Sequence, residues 1–285
     1  MTTYLVTGAS GQLGQLVVDH LKTLVPAGDI VALVRSDEAR KAYEAKGIAT
    51  RLGDYEDPES LRAAFAGVDR LLLISASEVG KRAAQHKNVL DAAKAAGVGF
   101  IAYTSILNAD HSGMALAEEH LETEAALRSS GIPHAILRNG WYSENTSGSV
   151  DHALSLGQHF GAAGDGRLAM APRQDYAEAA AVVLAGDGHD GKTYELAGDS
   201  DFTLSEYAAL LSELSGKDVA YVNLDEESYK NALVGAGLPE GLAAVLADSD
   251  AKAANGALAS DSDDLSRLIG RPTTPMRATL EAILG

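Results

Sequence analysis

"YLVTGASGQLGQLVVDHL", residues 4–21, runs from an apolar β-type segment through a glycine turn into an amphipathic helical segment. Gly8, Gly11 and Gly14 give the spacing GxxGxxG. A strand-to-helix turn that holds a diphosphate needs glycine where the backbone bends, where it approaches the ligand and where helix meets sheet. The first amides of the following helix then face the phosphates, at the positive end of the helix dipole. Three glycines alone would also suit an ordinary tight turn. The flanking elements favour a dinucleotide loop over Gly8, Ala9, Ser10, Gly11, Gln12, Leu13 and Gly14, because a second strand-like run, "DIVALVR" (29–35), closes the unit.

The end of that second run selects the dinucleotide. An Asp or Glu there would grip the ribose hydroxyls of NAD. This chain has Arg35, between Val34 and Ser36. A guanidinium makes paired, charge-assisted bonds to a 2′-phosphate, so the expected cofactor is NADPH. Asp54, after a third run, is placed to meet the adenine edge, and Ser75, Ala76 and Ser77 follow a fourth run at the same carboxyl rim.

Further outward the alternation continues. "IATRLGD" (48–54), "DRLLLIS" (69–75), "GFIAYTS" (99–105) and "PHAILR" (133–138) read as strands. Gln12–Leu24, Pro58–Ala66, Arg82–Ala96 and Ala115–Ser129 read as helices. Strands apolar throughout and separated by helices indicate a doubly wound parallel α/β sheet covered on both faces. Beyond Arg138 the pattern changes to "NGWYSENTSGS", a helix over about 175–185 and a strand "KTYELAG". From the capping box Thr203-x-x-Glu206 onward helices dominate. The expected organisation is a nucleotide-binding domain over 1–140, with a strand near 192–198 returning to it. A smaller, mostly helical, substrate-binding C-terminal lobe covers 141–285.

"GDGHDGKT" (186–193) matches the Walker pattern GxxxxGK[ST]. A phosphate loop leads from strand to helix, whereas this one leads from a helical segment into a strand, and Asp187 and Asp190 would set carboxylates beside the phosphates. It is expected to be a plain connection, and an ATPase is not expected. Asp248, Asp250, Asp261, Asp263 and Asp264 are read as solvated or helix-capping residues, with a cation site as the alternative.

Charge and composition exclude several classes. Lys and Arg number 23 against 40 Asp and Glu, a formal charge of −17, which repels nucleic acid and anionic membrane over most of the surface. Small-molecule partners are expected instead. The absence of cysteine excludes disulfides and thiolate catalysis or metal ligation. The sequence starts directly on a strand and has no apolar stretch long enough to span a membrane, so a soluble cytoplasmic protein is expected.

Carbonyl-reducing short-chain dehydrogenases place Tyr-x-x-x-Lys on the helix after the fifth strand. None of the ten tyrosines here has lysine four positions on. With Glu124 aligned to the glutamate that often follows that lysine, Leu116 and His120 occupy the two positions. His120 is either a substitute acid or a helix-surface imidazole near Glu124, and the second reading is preferred. The cofactor site is present and the usual acid is absent.

"VTGASGQLG", "ALVRS", "GDYEDPESL", "LLLISASEVG", "KNVLDAAKAAGV", "IAYTS", "HLETEAALRSSGI" and "LRNGWYSEN" together resemble the NmrA-like group of atypical short-chain dehydrogenases/reductases. Within it they are most similar to the bacterial type 2 NAD(P)H:quinone oxidoreductases, with triphenylmethane reductases as near relatives. The likeness extends through "YELAGDS", "LADSD" and "LIGRPTTP", so it covers nearly the whole chain. It implies a Rossmann domain with a small C-terminal lobe, NADPH as donor and a quinone as acceptor. Carried onto matching positions, it implies cofactor contacts at Gly8–Leu13, Arg35, Ser75–Ser77, at Asn139, Gly140, Trp141, Tyr142, Ser143 and Glu144, and at Arg173.

The resemblance also accounts for the missing pair. A quinone is electron-poor enough to take a hydride directly, and the phenolic oxygens it gains can be protonated by water, so positioning does most of the work. Asn139 is expected to orient the carboxamide end of the cofactor and Tyr142 to cover the acceptor, with a packing corner as the alternative role for the loop. The expected activity is direct hydride transfer from NADPH to a quinone without flavin or metal. The rival is a dinucleotide-binding redox sensor that catalyses nothing. Assembly of identical copies is compatible with either.

Overall fold

The computed structural model describes residues 1–285, the side chain of Ser147 excepted. Eleven strands follow in chain order: β1 Tyr4–Val6, β2 Ile30–Val34, β3 Ala49–Leu52, β4 Arg70–Leu73, β5 Phe100–Ile106, β6 His134–Asn139, β7 Gln158–Gly161, β8 Arg167–Leu168, β9 Lys192–Leu196, β10 Phe202–Thr203 and β11 Ala220–Asn223. The α-helices are α1 Gln12–Leu24, α2 Asp37–Ala45, α3 Pro58–Phe65, α4 Arg82–Ala96, α5 Ala115–Ser130, α6 Ser147–Leu156, α7 Arg173–Ala185, α8 Leu204–Ser215, α9 Glu226–Gly235, α10 Glu240–Ala253, α11 Asp264–Ile269 and α12 Met276–Leu284.

Seven strands form one sheet in the order β3-β2-β1-β4-β5-β6-β9. The central β1 pairs in parallel with β2 (Leu5 opposite Val31) and with β4 (Leu5 opposite Leu71). The chain therefore winds outward from β1 in both directions. Such sheets open a crevice beyond the carboxyl ends of the strands where the order reverses, here between β1 and β4. β1, β2 and β5 are buried at every residue, the mark of strands covered on both faces. One face packs Leu5, Leu71, Leu73, Ile101 and Tyr103 against Phe65 of α3, Val89 of α4 and Leu127 of α5. On the other, α1 and α7 lie along each other, and α7 also meets β4, β5 and β6.

By compactness the chain divides into two units. The first comprises 1–106, 119–139 and 173–194, and the second 107–118, 140–172 and 195–285. The second is built from short pieces, with parallel β7 and β11, antiparallel β8 and β10, and the helices around them. The capping box forms as its sequence predicts: Glu206 N donates to Thr203 Oγ1 at 3.1 Å, and Thr203 N to Glu206 Oε2 at 2.8 Å.

The late acidic residues are not uniformly solvated. Asp248 accepts from Ala115 N (2.9 Å), Asp264 from Glu195 N (3.0 Å) and Asp250 from Ala162 N (3.0 Å), so three of the five pin backbone. Burial pushes the Asp250 carboxyl up to about 6. Asp261 and Asp263 are exposed. Among the described residues no cluster of three or more His, Asp and Glu could hold a metal ion. The stretch 186–193 joins α7 to β9, and Asp190 Oδ1 accepts from His134 N at 3.0 Å, so the Walker-like letters are a helix-to-strand connection.

Candidate cofactor site

Gly8 turns the chain with φ +57°, in the left-handed region where glycine is favoured, and Gly11 N closes the turn onto Gly8 O at 3.0 Å. A Cβ on Gly14 would lie 2.3 Å from Gly8 O and 2.7 Å from Ala9 Cα, so the helix can come this close to the loop only without a side chain there. The Tyr43 hydroxyl, buried behind the loop, donates to Ala9 O at 2.6 Å and fixes it from α2. Burial, with Asp19 adding to it, pushes the Tyr43 phenol up to about 12, so it remains a donor.

The first turn of α1 is bare. Its N-cap, Gly11, supplies no side-chain cap and the turn contains no acidic residue. The amides of Gln12, Leu13 and Gly14 carry no acceptor among the described residues. Side chains cap α2 (Ser36), α3 (Asp57), α8 (Thr203) and α9 (Asp225), whereas α4, α6, α10, α11 and α12 share with α1 the lack of a side-chain cap. What sets α1 apart is the glycine loop in front of it. Three open donors at the positive end of a 13-residue helix suit a diphosphate.

Arg35 stands exposed at the end of β2 and has no ion pair among the described residues. Asp54 is partly exposed. Its Oδ1 accepts from Glu56 N (2.9 Å) and its own amide donates to Ser60 Oγ (3.0 Å), which fixes the turn into α3. Ser75, Ala76 and Ser77 follow β4. Asn139 ends β6 opposite Ile106 of β5 and is buried. Arg173 opens α7, next to Gln174, which reaches His20 of α1. The first unit thus holds the glycine loop, Arg35, Asp54, Ser75–Ser77, Asn139 and Arg173. All but Arg173 lie at the carboxyl ends of its parallel strands.

Gly140, Trp141, Tyr142, Ser143 and Glu144 belong to the second unit. There Gly140 N donates to Leu196 O (2.7 Å) and Ser143 N to Ala171 O (2.9 Å), and Tyr142 bridges Ala171. Ser143 is buried, while Trp141 and Tyr142 are half-buried.

His120 departs from the surface reading. It is 5% exposed and its Nδ1 lies 2.7 Å from the hydroxyl of buried Tyr103. Burial first, then the Arg82 charge, holds its pKa well below the usual imidazole range, so the ring is neutral at pH 7. Glu124 is wholly buried. It accepts from Arg138 Nε and Nη2 (2.9 and 2.8 Å), Ser105 Oγ (2.7 Å) and Arg128 Nη2 (3.0 Å). The imidazole and the carboxylate therefore have different partners. His120→Ala should leave turnover of the expected hydride acceptor within about threefold per folded molecule and lower the melting temperature. A fall in kcat of about 10²-fold with the fold intact would instead make His120 a general acid.

A family model described as NmrA-like matches residues 2–268. The chain belongs to the NmrA-like family. This NmrA-like protein is 56% identical to quinone oxidoreductase 2 of Escherichia coli K12, over 95% of each chain. The crystal structure of the NADPH-dependent quinone oxidoreductase of E. coli, complexed with NADPH, superposes with TM-score 0.97 at 53% identity, covering 99% of this chain and 100% of that one. Citrobacter sp. triphenylmethane reductase complexed with NADP(H) gives TM-score 0.95 at 41% identity, with 99% and 100% covered. The sheet and its helices are accordingly the Rossmann-type arrangement of these enzymes.

Proposed function

We propose that this NmrA-like protein is an NADPH-dependent quinone reductase, acting in the cytoplasm on small electron-poor acceptors. The observation that carries the cofactor is the glycine loop, closed against α1 at Gly14, that leads into three open helix amides, with Arg35 exposed just past the next strand end. The likeness to an NADPH-dependent quinone oxidoreductase over nearly the full chain supports the acceptor.

The amides of Gln12, Leu13 and Gly14 bind the diphosphate, and Arg35 holds the 2′-phosphate. Asp54, Ser75–Ser77, Asn139–Glu144 and Arg173 supply the further cofactor contacts. Bound NADPH supplies the hydride. Asn139 would orient its carboxamide end, and the aromatic loop Asn139–Tyr142 supplies the acceptor wall, with Tyr142 covering the quinone. No side chain has to deliver a proton during hydride transfer, because the reduced oxygens are acidic phenols open to water.

Steady-state oxidation of NADPH with a small quinone tests the activity. Tight NADPH binding without turnover would mark a redox sensor instead. Arg35→Ala tests the cofactor choice. It removes charge-assisted bonds of about 1.5–3 kcal/mol, so NADPH should bind roughly ten- to a hundredfold more weakly while NADH changes little. Equal losses for both dinucleotides would move the 2′-phosphate away from Arg35.

A further inference from the structure

The segment after β4 is held more firmly than a surface loop needs to be. Ile74 N donates to Thr7 Oγ1 (3.0 Å), Ser75 N to Thr104 Oγ1 (2.9 Å) and Ala76 N to His86 Nε2 (2.9 Å). Tyr55 Oη reaches Ile74 O at 2.9 Å, and Arg82 Nε donates to Ala76 O at 2.8 Å. Side chains from four parts of the first unit thus occupy every backbone polar group of Ile74–Ala76 except the Ser75 carbonyl. That carbonyl and the Ser75 hydroxyl have no partner among the described residues.

Ala76 is gripped on both sides of its α-carbon by one turn of α4, and both grips are fastened further back. His86 is 1% exposed. Because Nε2 accepts from Ala76, the ring proton sits on Nδ1 and is donated to Thr123 Oγ1 at 2.9 Å. The Thr123 hydroxyl in turn donates to Glu119 O at 2.9 Å. Arg82, 4% exposed, donates to Glu119 Oε2 at 3.1 Å, and Glu119 Oε1 accepts from Gly80 N at 3.0 Å. A buried imidazole that nothing in the hydride transfer uses is thereby fixed in one tautomer and joined to the rim.

We infer that His86 is a positioning residue for the dinucleotide: by accepting the Ala76 amide proton, with Arg82 holding the Ala76 carbonyl, it sets the segment so that the Ser75 carbonyl and hydroxyl are left to the cofactor. The inference rests on the reading of Ser75–Ser77 as a cofactor segment. His86 acts through Ala76 and touches no reacting atom. Its contribution is to binding, and kcat at saturating NADPH does not depend on it.

The test compares His86→Leu, which removes the acceptor, with His86→Gln, whose amide oxygen can stand near the position of Nε2. Exchange of the Ala76 amide is followed by NMR in the cofactor-free protein, and NADPH KM and kcat are measured with a quinone. His86→Leu should speed Ala76 exchange without speeding exchange across β4 and β5, and raise the NADPH KM about tenfold with kcat within about twofold, while Gln recovers most of the loss. Should His86→Leu fail to fold, Thr123→Val, which strips the partner from Nδ1, should shift the same two readouts by a smaller amount. An Ala76 amide still protected in His86→Leu overturns the latch. A faster Ala76 amide with unchanged NADPH KM, in a protein whose Arg35→Ala variant does lose NADPH, overturns the positioning role and leaves the cofactor reading intact. Unchanged KM in both variants overturns both.

Discussion

Gly14→Ala should weaken NADPH at least about a hundredfold, near 3 kcal/mol, and lower the melting temperature of the cofactor-free protein. The added carbon would sit 2.3 Å from Gly8 O, 2.7 Å from Ala9 Cα and 2.9 Å from Gly8 C, all backbone atoms that cannot swing aside. Either α1 lifts away from the loop or the loop unwinds from its turn. Both movements carry the open amides of Gln12, Leu13 and Gly14 away from the position proposed for the diphosphate. Gly11→Ala is the comparison for stability, because its carbon would stand 3.2 Å from Gly8 O, a contact that small shifts relieve. Cofactor titration together with thermal melts separates binding from folding. A Gly14→Ala protein that binds NADPH within threefold of the parent would show that the diphosphate lies elsewhere.

Glu124→Ala should destabilise the protein by about 3–5 kcal/mol, since it removes a wholly buried carboxylate that accepts two bonds from Arg138, 5% exposed, and one from Ser105. Burial opposes the ionised carboxylate, but bonds from Arg138 and Ser105 and the Arg138 and Arg128 charges outweigh it and hold the pKa below the usual range. The folded value lies below the unfolded one. The stabilisation is therefore complete above the unfolded pKa of about 4.3 and is lost as pH falls through the folded value. Denaturant melts should show the full difference at pH 7 and a shrinking one below about pH 4. The double variant Glu124→Leu/Arg138→Met should be more stable than Glu124→Ala, because both members of the buried Glu124–Arg138 pair are replaced by apolar groups of similar volume. A Glu124→Ala loss under about 1 kcal/mol would mean that water reaches Arg138.

The parts legible in the sequence are those with a strong local signal. Gln12–Leu24 and Arg82–Ala96 are helices with the predicted bounds, and the six apolar runs of the first half are the first six strands, shortened by a residue or so at most ends. The doubly wound sheet follows from their alternation. Helix α2, Asp37–Ala45, has only a weak local signal, although Ser36 caps it and Asp37 and Glu38 fill its first turn. Only Tyr43 of that helix is buried, so it has almost no apolar stripe to see. The pairing of β7 with β11 joins four-residue pieces sixty positions apart in the chain, and local pattern carries no trace of it.

His120 and His86 lie beyond the reach of apolar spacing for one reason. On α4, Arg82, Gln85 and His86 share the buried face with Val89, Leu90 and Ala93, and on α5, His120, Thr123 and Glu124 share it with Leu127. A reading of helices by apolar spacing assigns polar residues to water. Here they meet one another inside, where each needs a partner, and the partners come from β5, β6 and the rim after β4. The spacing i, i+3, i+4 was visible. That polar side chains filled it could be understood only with their partners in place.

The chain passes between the two units five times, at 106/107, 118/119, 139/140, 172/173 and 194/195. Neither unit is a contiguous gene segment, so no single crossover between homologous genes transfers one of them whole. The second unit cannot be inherited as a cassette behind a fixed first unit. Library design on this scaffold meets the same restriction: exchanging the second unit requires three grafted segments and five junctions, whereas point changes in a loop such as Gly140–Glu144 require none.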